Sequence, residues 1–336
     1  MMLPTRRTFL KTTAVVGFAA PFFIPSTSAA GESGTPEMFQ GVRRFIHSTN
    51  DEQTTILVPG LASPFQVLHI TDTHISYDNE NDEEYLQYSQ RMRDAYASGR
   101  LDRTGRSVTP LESFEILLKT AQEKKVDLIL LTGDIINYPS ETAVRAVLER
   151  LEATGIPFLY TAGNHDWHYE GMEGSADFLR ETWIERRLKP LYCGADPMCN
   201  ATSFHGINMV CIDDSTYRIS ERQLEFYRKQ KSGSEPLVLL MHIPLYMPTL
   251  PVGSCGHPEW GEATDHGYLV ERRERWPAKG CGKATLDFVQ EVFSTPNLVG
   301  IFTGHYHRSQ TIVSGNGVQY ITSAAVQGCS RLIRFE

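Results

Sequence analysis

The sequence predicts a layered α/β domain, and three observations carry that expectation. Short apolar runs rich in β-branched residues lack strict alternation, as strands buried on both faces do. Segments of helical period with recognisable starts lie between them. All but one of the runs end in residues that bind metal or move protons.

Taken in order, the runs are "FQVLHI" (65–70), "VDLILL" (126–131), "IPFLY" (156–160), "INMVCI" (207–212), "PLVLLM" (236–241) and "LVGIF" (298–302). The polar, poorly patterned stretch 31–62 reads as a lead-in to a domain over 63–336. The first helix opens "TPLESFEILLKTA": Thr109 is the N-cap, Pro110 takes the first helical position and Glu112 stands where a capping box needs it. Leu111, Phe114, Leu117, Leu118 and Ala121 then share one face. "SETAVRAVLERLEATG" starts at Ser140, gathers Val144, Val147, Leu148 and Leu151, and stops at Gly155. "SERQLEFY" from Ser220 and "ATLDFVQEVF" from Ala284 read as two more helices, and "QTIVSGNGVQYITSAA" as a hairpin about an Asn316-Gly317 turn. Two stretches break the rhythm. Residues 76–107 are long and charged, residues 245–283 are rich in Gly, Pro and aromatics, and both read as functional insertions.

Residues 1–30 read as a separate object. "TRRTFLK" (5–11), the apolar stretch 14–24 and the small residues of "STSAAGE" match a twin-arginine signal peptide cleaved after Ala30. The apolar stretch contains Pro21 and falls short of the ~20 residues a bilayer span needs, so no stable membrane anchor is expected. The twin-arginine export machinery is the partner this implies, and the periplasm or exterior the destination.

Removing Arg6, Arg7 and Lys11 with no acid takes the net charge from −8 to −11. An acidic surface repels polyanions, which excludes duplex nucleic acid as the expected substrate. The composition, 41% hydrophobic and 21% charged, is that of a globular protein with ample core. Six cysteines in an exported chain point to disulfides; none is in a C-x-x-C pair, so a soft-metal site is not expected. Cys255 and Cys281 bracket the Gly- and Pro-rich insertion and are the first pairing, Cys193 with Cys199 the second.

The run ends carry the chemistry. The first gives "TDTH" (Asp72, His74), the second "TGDIIN" (Asp134, Asn137), the third "GNHD" (Asn164, His165, Asp166), the fifth "MHIP" (His242) and the sixth "TGHYH" (His305, His307). In α/β sheets ligands bind outside the carboxyl ends of strands, so residues distant in sequence converge there. Asp72 and His74, like His305 and His307, are spaced i, i+2, on one side of an extended segment. Two metals ~4 Å apart can clamp the attacking and leaving oxygens of an in-line displacement and lower the pKa of a bridging water. A carboxylate suits the bridge because it offers two anionic oxygens. A donor set of nitrogen and oxygen permits Mn, Fe or Zn.

The ordered pattern Asp-x-His, Gly-Asp, Gly-Asn-His-Asp, His, Gly-His-x-His resembles the calcineurin-like metallophosphoesterases over roughly 65–307. Its first motif is similar to that of the class III cyclic-nucleotide phosphodiesterases. The resemblance implies a two-sheet sandwich flanked by helices, a dinuclear metal site at the carboxyl ends of the strands, and a small phosphate ester as substrate. It places Asp72, His74, Asp134 and His307 on one metal and Asp134, Asn164, His242 and His305 on the other. His165 would protonate the leaving oxygen or steady the phosphoryl charge, with Asp166 the nearest candidate to orient it; many members use an acid three residues after the Gly-Asp aspartate, where this chain has Asn137.

Two rival readings fit the residues less well. Purple acid phosphatases have Gly in place of His74 and a metal-binding Tyr where Asn137 stands, which disfavours that reading. A binding protein that kept the fold would first lose ligands or His165, and none is missing. Arg272, Arg273 and Arg275 in "ERRERW" read either as a substrate clamp or as a solvated helix face. For His47, His69, His168, His205, His257 and His266 the structural reading stands, and Asp213 and Asp214 read as a turn.

Overall fold

The computed structural model describes residues 45–96, 104–258, 269–270, 274–275, 281–315 and 317–336, all within the unit Gly41–Glu336. The signal-peptide reading of residues 1–30, His266 and Asn316 lie outside the described residues.

The strands are β1 Ile46–Thr49, β2 Gln53–Leu57, β3 Phe65–Ile70, β4 Leu128–Thr132, β5 Phe158–Thr161, β6 Cys199–Phe204, β7 Ile207–Ile212, β8 Leu237–Leu240, β9 Leu269–Val270, β10 Glu274–Arg275, β11 Leu298–Thr303, β12 Gln310–Ser314, β13 Gly317–Ile321 and β14 Arg331–Phe335. The helices are α1 Leu86–Tyr96, α2 Pro110–Lys124, α3 Glu141–Thr154, α4 Ala176–Trp183, α5 Glu221–Lys231 and α6 Lys283–Phe293. One six-stranded sheet runs β1-β2-β14-β3-β4-β5 and the other β12-β13-β11-β8-β7-β6, with β9 and β10 a separate ribbon. From the middle of the first sheet to its β5 edge, β3, β4 and β5 are parallel; at the middle of the second, β7, β8 and β11 are.

The period-two alternation of strands divides the core into three layers. Val67, Leu128 and Leu130 of the first sheet meet Met209, Cys211, Val238, Leu240, Val299 and Phe302 of the second. The opposite faces turn outward. Leu68, Ile70, Ile129 and Leu131 pack on Phe114, Leu117 and Leu118 of α2, Val144 and Val147 of α3, and Trp183 of α4. Val210, Ile212, Leu237 and Leu239 pack on Leu224 and Tyr227 of α5 and Phe288 and Val292 of α6. This is a two-sheet sandwich flanked by helices, and it explains why the sequence runs are continuous and not alternating: both faces are buried.

The capping signals act as read. Thr109 and Glu112 form a capping box, Ser140 caps α3, Gly155 ends it in the left-handed region, and Ser220 with Gln223 forms a second box. Four features differ from the sequence reading. The stretch 31–62, which reads as an unpatterned lead-in, supplies β1 and β2, and Thr54 and Ile56 of β2 are buried. In the hairpin Ser314 pairs with Gly317, so Gly317 begins β13 and does not form the turn. The stretch 76–107 carries a 3₁₀ turn over Glu80–Tyr85 followed by α1. That turn docks through buried Asp82, which accepts from Glu141 N, Ser140 Oγ and Thr142 Oγ1 at the start of α3 and from Arg187 at 2.7 Å. Lastly, all six cysteines are free thiols, so neither the Cys255–Cys281 nor the Cys193–Cys199 bridge is formed. Cys255 and Cys281 instead sit as separate buried groups in the core beside α6. Among the described residues no helix is long and apolar enough to cross a membrane.

Candidate metal centre and active site

The parallel strands of both sheets release their chains toward one place. Beyond β3 come Asp72 and His74, beyond β4 Asp134, beyond β5 Asn164 and His165, beyond β8 His242, and beyond β11 His305 and His307. Asp72 N–H donates to Gly133 O at 3.0 Å and His74 N–H to Asp134 O at 2.9 Å, which locks the first two loops together. Gly304 N–H donates to His242 O at 2.9 Å and does the same for the second sheet.

These loops are strained where the functional side chains sit. Asp72, His74, Asp134, His305 and His307 all have positive φ, between 48° and 72°. A non-glycine residue there costs of order 1–3 kcal/mol, and such strain collects at functional sites. Gly133 has φ +83°, and a Cβ on it would lie 2.5 Å from Gly163 N and 2.7 Å from His242 Nδ1. Only a glycine lets those three segments close on one another.

Ligand-type atoms then gather in overlapping groups. Those of Asp72, His74 and His307 lie within 4.8 Å of one another, as do those of Asp134, His242 and His305, and those of His74, Asp134 and His165. His74 Nε2 is 3.8 Å from both Asp72 Oδ1 and Asp134 Oδ2. His307 Nε2 is 3.2 Å from Asp72 Oδ1, and His242 Nε2 is 3.2 Å from Asp134 Oδ2 and 3.1 Å from Asn164 Oδ1. Each carboxylate is held by its other oxygen. Asp72 Oδ2 accepts from His305 N at 2.9 Å and Asp134 Oδ1 from His165 N at 2.8 Å, so Asp72 Oδ1 and Asp134 Oδ2 point inward.

This arrangement fits metal ions. Asp72 Oδ1 is buried and meets no donor in hydrogen-bonding geometry. The Nε2 atoms of His74 and His307 face each other at 3.0 Å, which suits a cation between lone pairs better than a neutral pair. His242 Nδ1 donates to Thr132 O at 2.8 Å; a carbonyl only accepts, so the hydrogen is on Nδ1 and the lone pair on Nε2 faces the centre. The charges agree. Burial acts to raise the pKa of Asp134, yet the positive charge and hydrogen bond of His242, with the neighbouring His165 and His74 rings, hold it well below the carboxylate range. Burial acts to lower that of His242, but the charge and hydrogen bond of Asp134 raise it to about 10. Burial and the neighbouring His165 ring lower His74, and burial and the charge of His242 take His305 down to about 3.

His165 Nδ1 lies 2.9 Å from Asn137 Oδ1. Asp166, the nearest candidate in the sequence to orient His165, has another use. Its carboxylate accepts from Gly163 N at 2.7 Å, Asp134 N at 2.9 Å and Ile136 N at 2.9 Å, joining the second and third motifs from beneath. Burial and the charge of Asp134 push it up to about 7 against those donors. Asp213 makes the predicted turn, accepting from Ser215 N at 2.8 Å. Asp214 also holds the end of β8, accepting from the N–H groups of His242 and Ile243, each at 3.1 Å. The structural histidines keep that reading where described: His69 bridges Thr322 and Thr132 between buried strands, and His168 Nδ1 lies 2.7 Å from Asn164 O. Arg272 and Arg273 lie outside the described residues, and Arg275 is placed by its backbone in β10.

Comparison with known proteins agrees with this geometry. The chain matches the calcineurin-like phosphoesterase family over residues 65–309. It is 27% identical over 259 residues to a probable cyclic nucleotide phosphodiesterase of Psychrobacter arcticus, covering 73% of this chain and 74% of that one. A probable cyclic nucleotide phosphodiesterase of Moraxella catarrhalis is 41% identical over 59 residues, 18% of this chain and 21% of that one. Among solved structures, a dimetal phosphatase from Danio rerio is similar at a TM-score of 0.49 and 12% identity, covering 80% of this chain and 91% of that one.

Proposed function

Since the chain belongs to the calcineurin-like phosphoesterase family and is a phosphoric ester hydrolase, we propose that it is an exported two-metal enzyme acting on small phosphodiesters. The observation that carries the reading is the shared carboxylate: Asp134 belongs both to the group with His242 and His305 and to the group with His74. Asp72, His74, Asp134 and His307 would hold one ion, and Asp134, Asn164, His242 and His305 the other. When bound, two cations supply Lewis acidity and clamp the oxygens of an in-line displacement at phosphorus.

The chain's own groups do the rest. Asp72 and Asp134 offer their inward oxygens, and the Thr132 carbonyl keeps Nε2 of His242 turned to the centre. His165 stands beside His74, ring centroids 4.6 Å apart, and its role is to give a proton to the departing alkoxide. The names of the curated relatives favour a diester over a monoester, and the donor set of nitrogen and oxygen favours Mn, Fe or Zn.

Export rests on the "TRRTFLK" leader. Hydrolysis of paired mono- and diesters by protein loaded with each metal tests the substrate class. Activity confined to monoesters would overturn the diester reading. Cell fractionation tests export: Arg6→Lys with Arg7→Lys should keep the protein in the cytoplasm, and unchanged export would remove the twin-arginine route.

A further inference from the structure

Arg308 directly follows His307, and its side chain is exposed. Among the described residues its guanidinium makes no hydrogen bond and no ion pair; it lies over the ring of Tyr306, with Cζ 5.5 Å from the centroid. Acids outnumber Lys and Arg in this chain by 40 to 32, and Arg93, Arg187 and Arg228 are each held by a carboxylate. An arginine with no such partner beside the metal centre therefore stands apart.

Its perch is fixed. The Tyr306 ring rests against that of His305, centroids 5.2 Å apart, and its hydroxyl is 2.7 Å from Ser254 Oγ. Ser254 gives its own hydrogen to the Pro251 carbonyl at 2.7 Å, so the Tyr306 hydroxyl donates to Ser254. The start of this insertion is in turn tied to the second sheet: Leu245 N–H donates to Gln319 Oε1 at 2.8 Å, and Gln319 Nε2 donates to the Leu245 carbonyl at 3.1 Å. Tyr306 is thus held between a candidate metal ligand and the insertion, and it sets the guanidinium at the rim of the centre.

A guanidinium laid by its face on an aromatic ring keeps its N–H edge for another partner, and that edge matches phosphate with two parallel bonds. The reacting phosphoryl group has its holders inside the centre. What remains for Arg308 is a second anion, on the part of the substrate that extends past His305. A phosphate monoester, with about −1.5 to −2 of charge near neutral pH, is the strongest match. One fork at the rim suits a small bisphosphate and does not reverse the repulsion of a polyanion by the acidic surface.

We propose that Arg308 is a specificity-determining residue that binds a second phosphate, carried by the non-reacting arm of a phosphodiester substrate. This rests on the phosphoesterase reading above and narrows it to diesters with a further phosphate on one alcohol.

The test compares thymidine 5′-(p-nitrophenyl phosphate) with the same ester bearing a 3′-phosphate, which share a leaving group and differ by one anion. Zinc-loaded wild type should show a KM about tenfold lower for the 3′-phosphorylated ester, the low end for bonds to charged groups because the rim is open to solvent. Arg308→Gln should raise that KM to the level of the plain ester, leaving kcat, metal content and the KM of the plain ester unchanged. Equal KM values in wild type, or an Arg308→Gln protein that keeps the preference or loses equally on both esters, overturns the proposal. Calorimetry with thymidine 3′,5′-bisphosphate and thymidine 5′-phosphate reads the same preference without turnover. Were neither ester hydrolysed while the bisphosphate still bound more tightly to wild type than to Arg308→Gln, the phosphoesterase reading would fail and the anion site would stand. Both esters hydrolysed with no preference in rate or binding would leave that reading intact and remove the role of Arg308.

Discussion

Asp166→Asn separates an architectural acid from a catalytic one. In the structure Asp166 Oδ2 accepts from Gly163 N and Asp134 N, and Oδ1 from Ile136 N. An asparagine can place its single oxygen where two of those N–H groups point, which leaves its NH₂ facing the N–H of Ile136. One buried donor then lacks a partner, a loss of about 1–3 kcal/mol. Asp166→Ala abandons all three donors, about 3–9 kcal/mol on the same scale. Set against a typical total stability of about 5–15 kcal/mol, the alanine variant should be largely unfolded and the asparagine variant measurable. Urea unfolding of Asp166→Asn should show the smaller loss, with weaker metal retention because Asp134 and Asn164 flank the bonds that slacken. Its rate should fall by the same factor on an alkyl and a nitrophenyl ester. Unchanged stability and metal content, with a rate loss confined to the alkyl ester, would return Asp166 to the proton-transfer chemistry and refute this assignment.

His165→Ala should retain its metals and lose about 10²–10⁴-fold on an alkyl ester but little on a nitrophenyl ester, whose leaving group is stable without a proton; equal losses would point to charge stabilisation instead. Gly133→Ala should lose metal and activity together, since its Cβ would strike Gly163 and His242, and wild-type metal content would contradict the close approach. In native protein a thiol-alkylating reagent followed by mass mapping should label exposed Cys193 first and spare Cys255, whose thiol burial pushes well above its ordinary pKa; a Cys255–Cys281 disulfide in the same map would contradict the free thiols. Changing Arg272, Arg273 and Arg275 to Ala should raise KM with metal content intact if they clamp substrate, and unchanged kinetics would make them solvated surface.

Much of this architecture is legible in the chain because its signals are local. The runs 65–70 and 207–212 are β3 and β7 to the residue, and the caps at Thr109, Ser140 and Ser220 need only three or four neighbouring residues to act. The ligand motifs are equally local, each a few residues after a strand. What escaped reading depends on distant partners. β14 carries Arg331, whose charge is hidden among the Thr49, Asn50, Thr54, Ser309 and Thr322 oxygens, so a buried strand looks like a charged tail. α1 presents mostly polar residues and buries Met92, too little for a periodic signal. The partner of His165 stays open in the sequence for the same reason. Asp166 is adjacent in sequence but turns beneath the loops, and Asn137 is brought to the ring by the parallel pairing of β4 with β5.

The central claim is that a shared-carboxylate, two-metal centre performs the hydrolysis, and titration of the metal-free protein tests it most directly. Zinc or manganese is added stepwise while bound metal and hydrolysis of a nitrophenyl diester are followed in the same samples. The account predicts that binding and rate both level off at about two equivalents per chain, and that Asp134→Asn shows neither plateau. Hydrolysis that persists in the chelated protein, or an Asp134→Asn protein that still binds both ions and turns over, would contradict it.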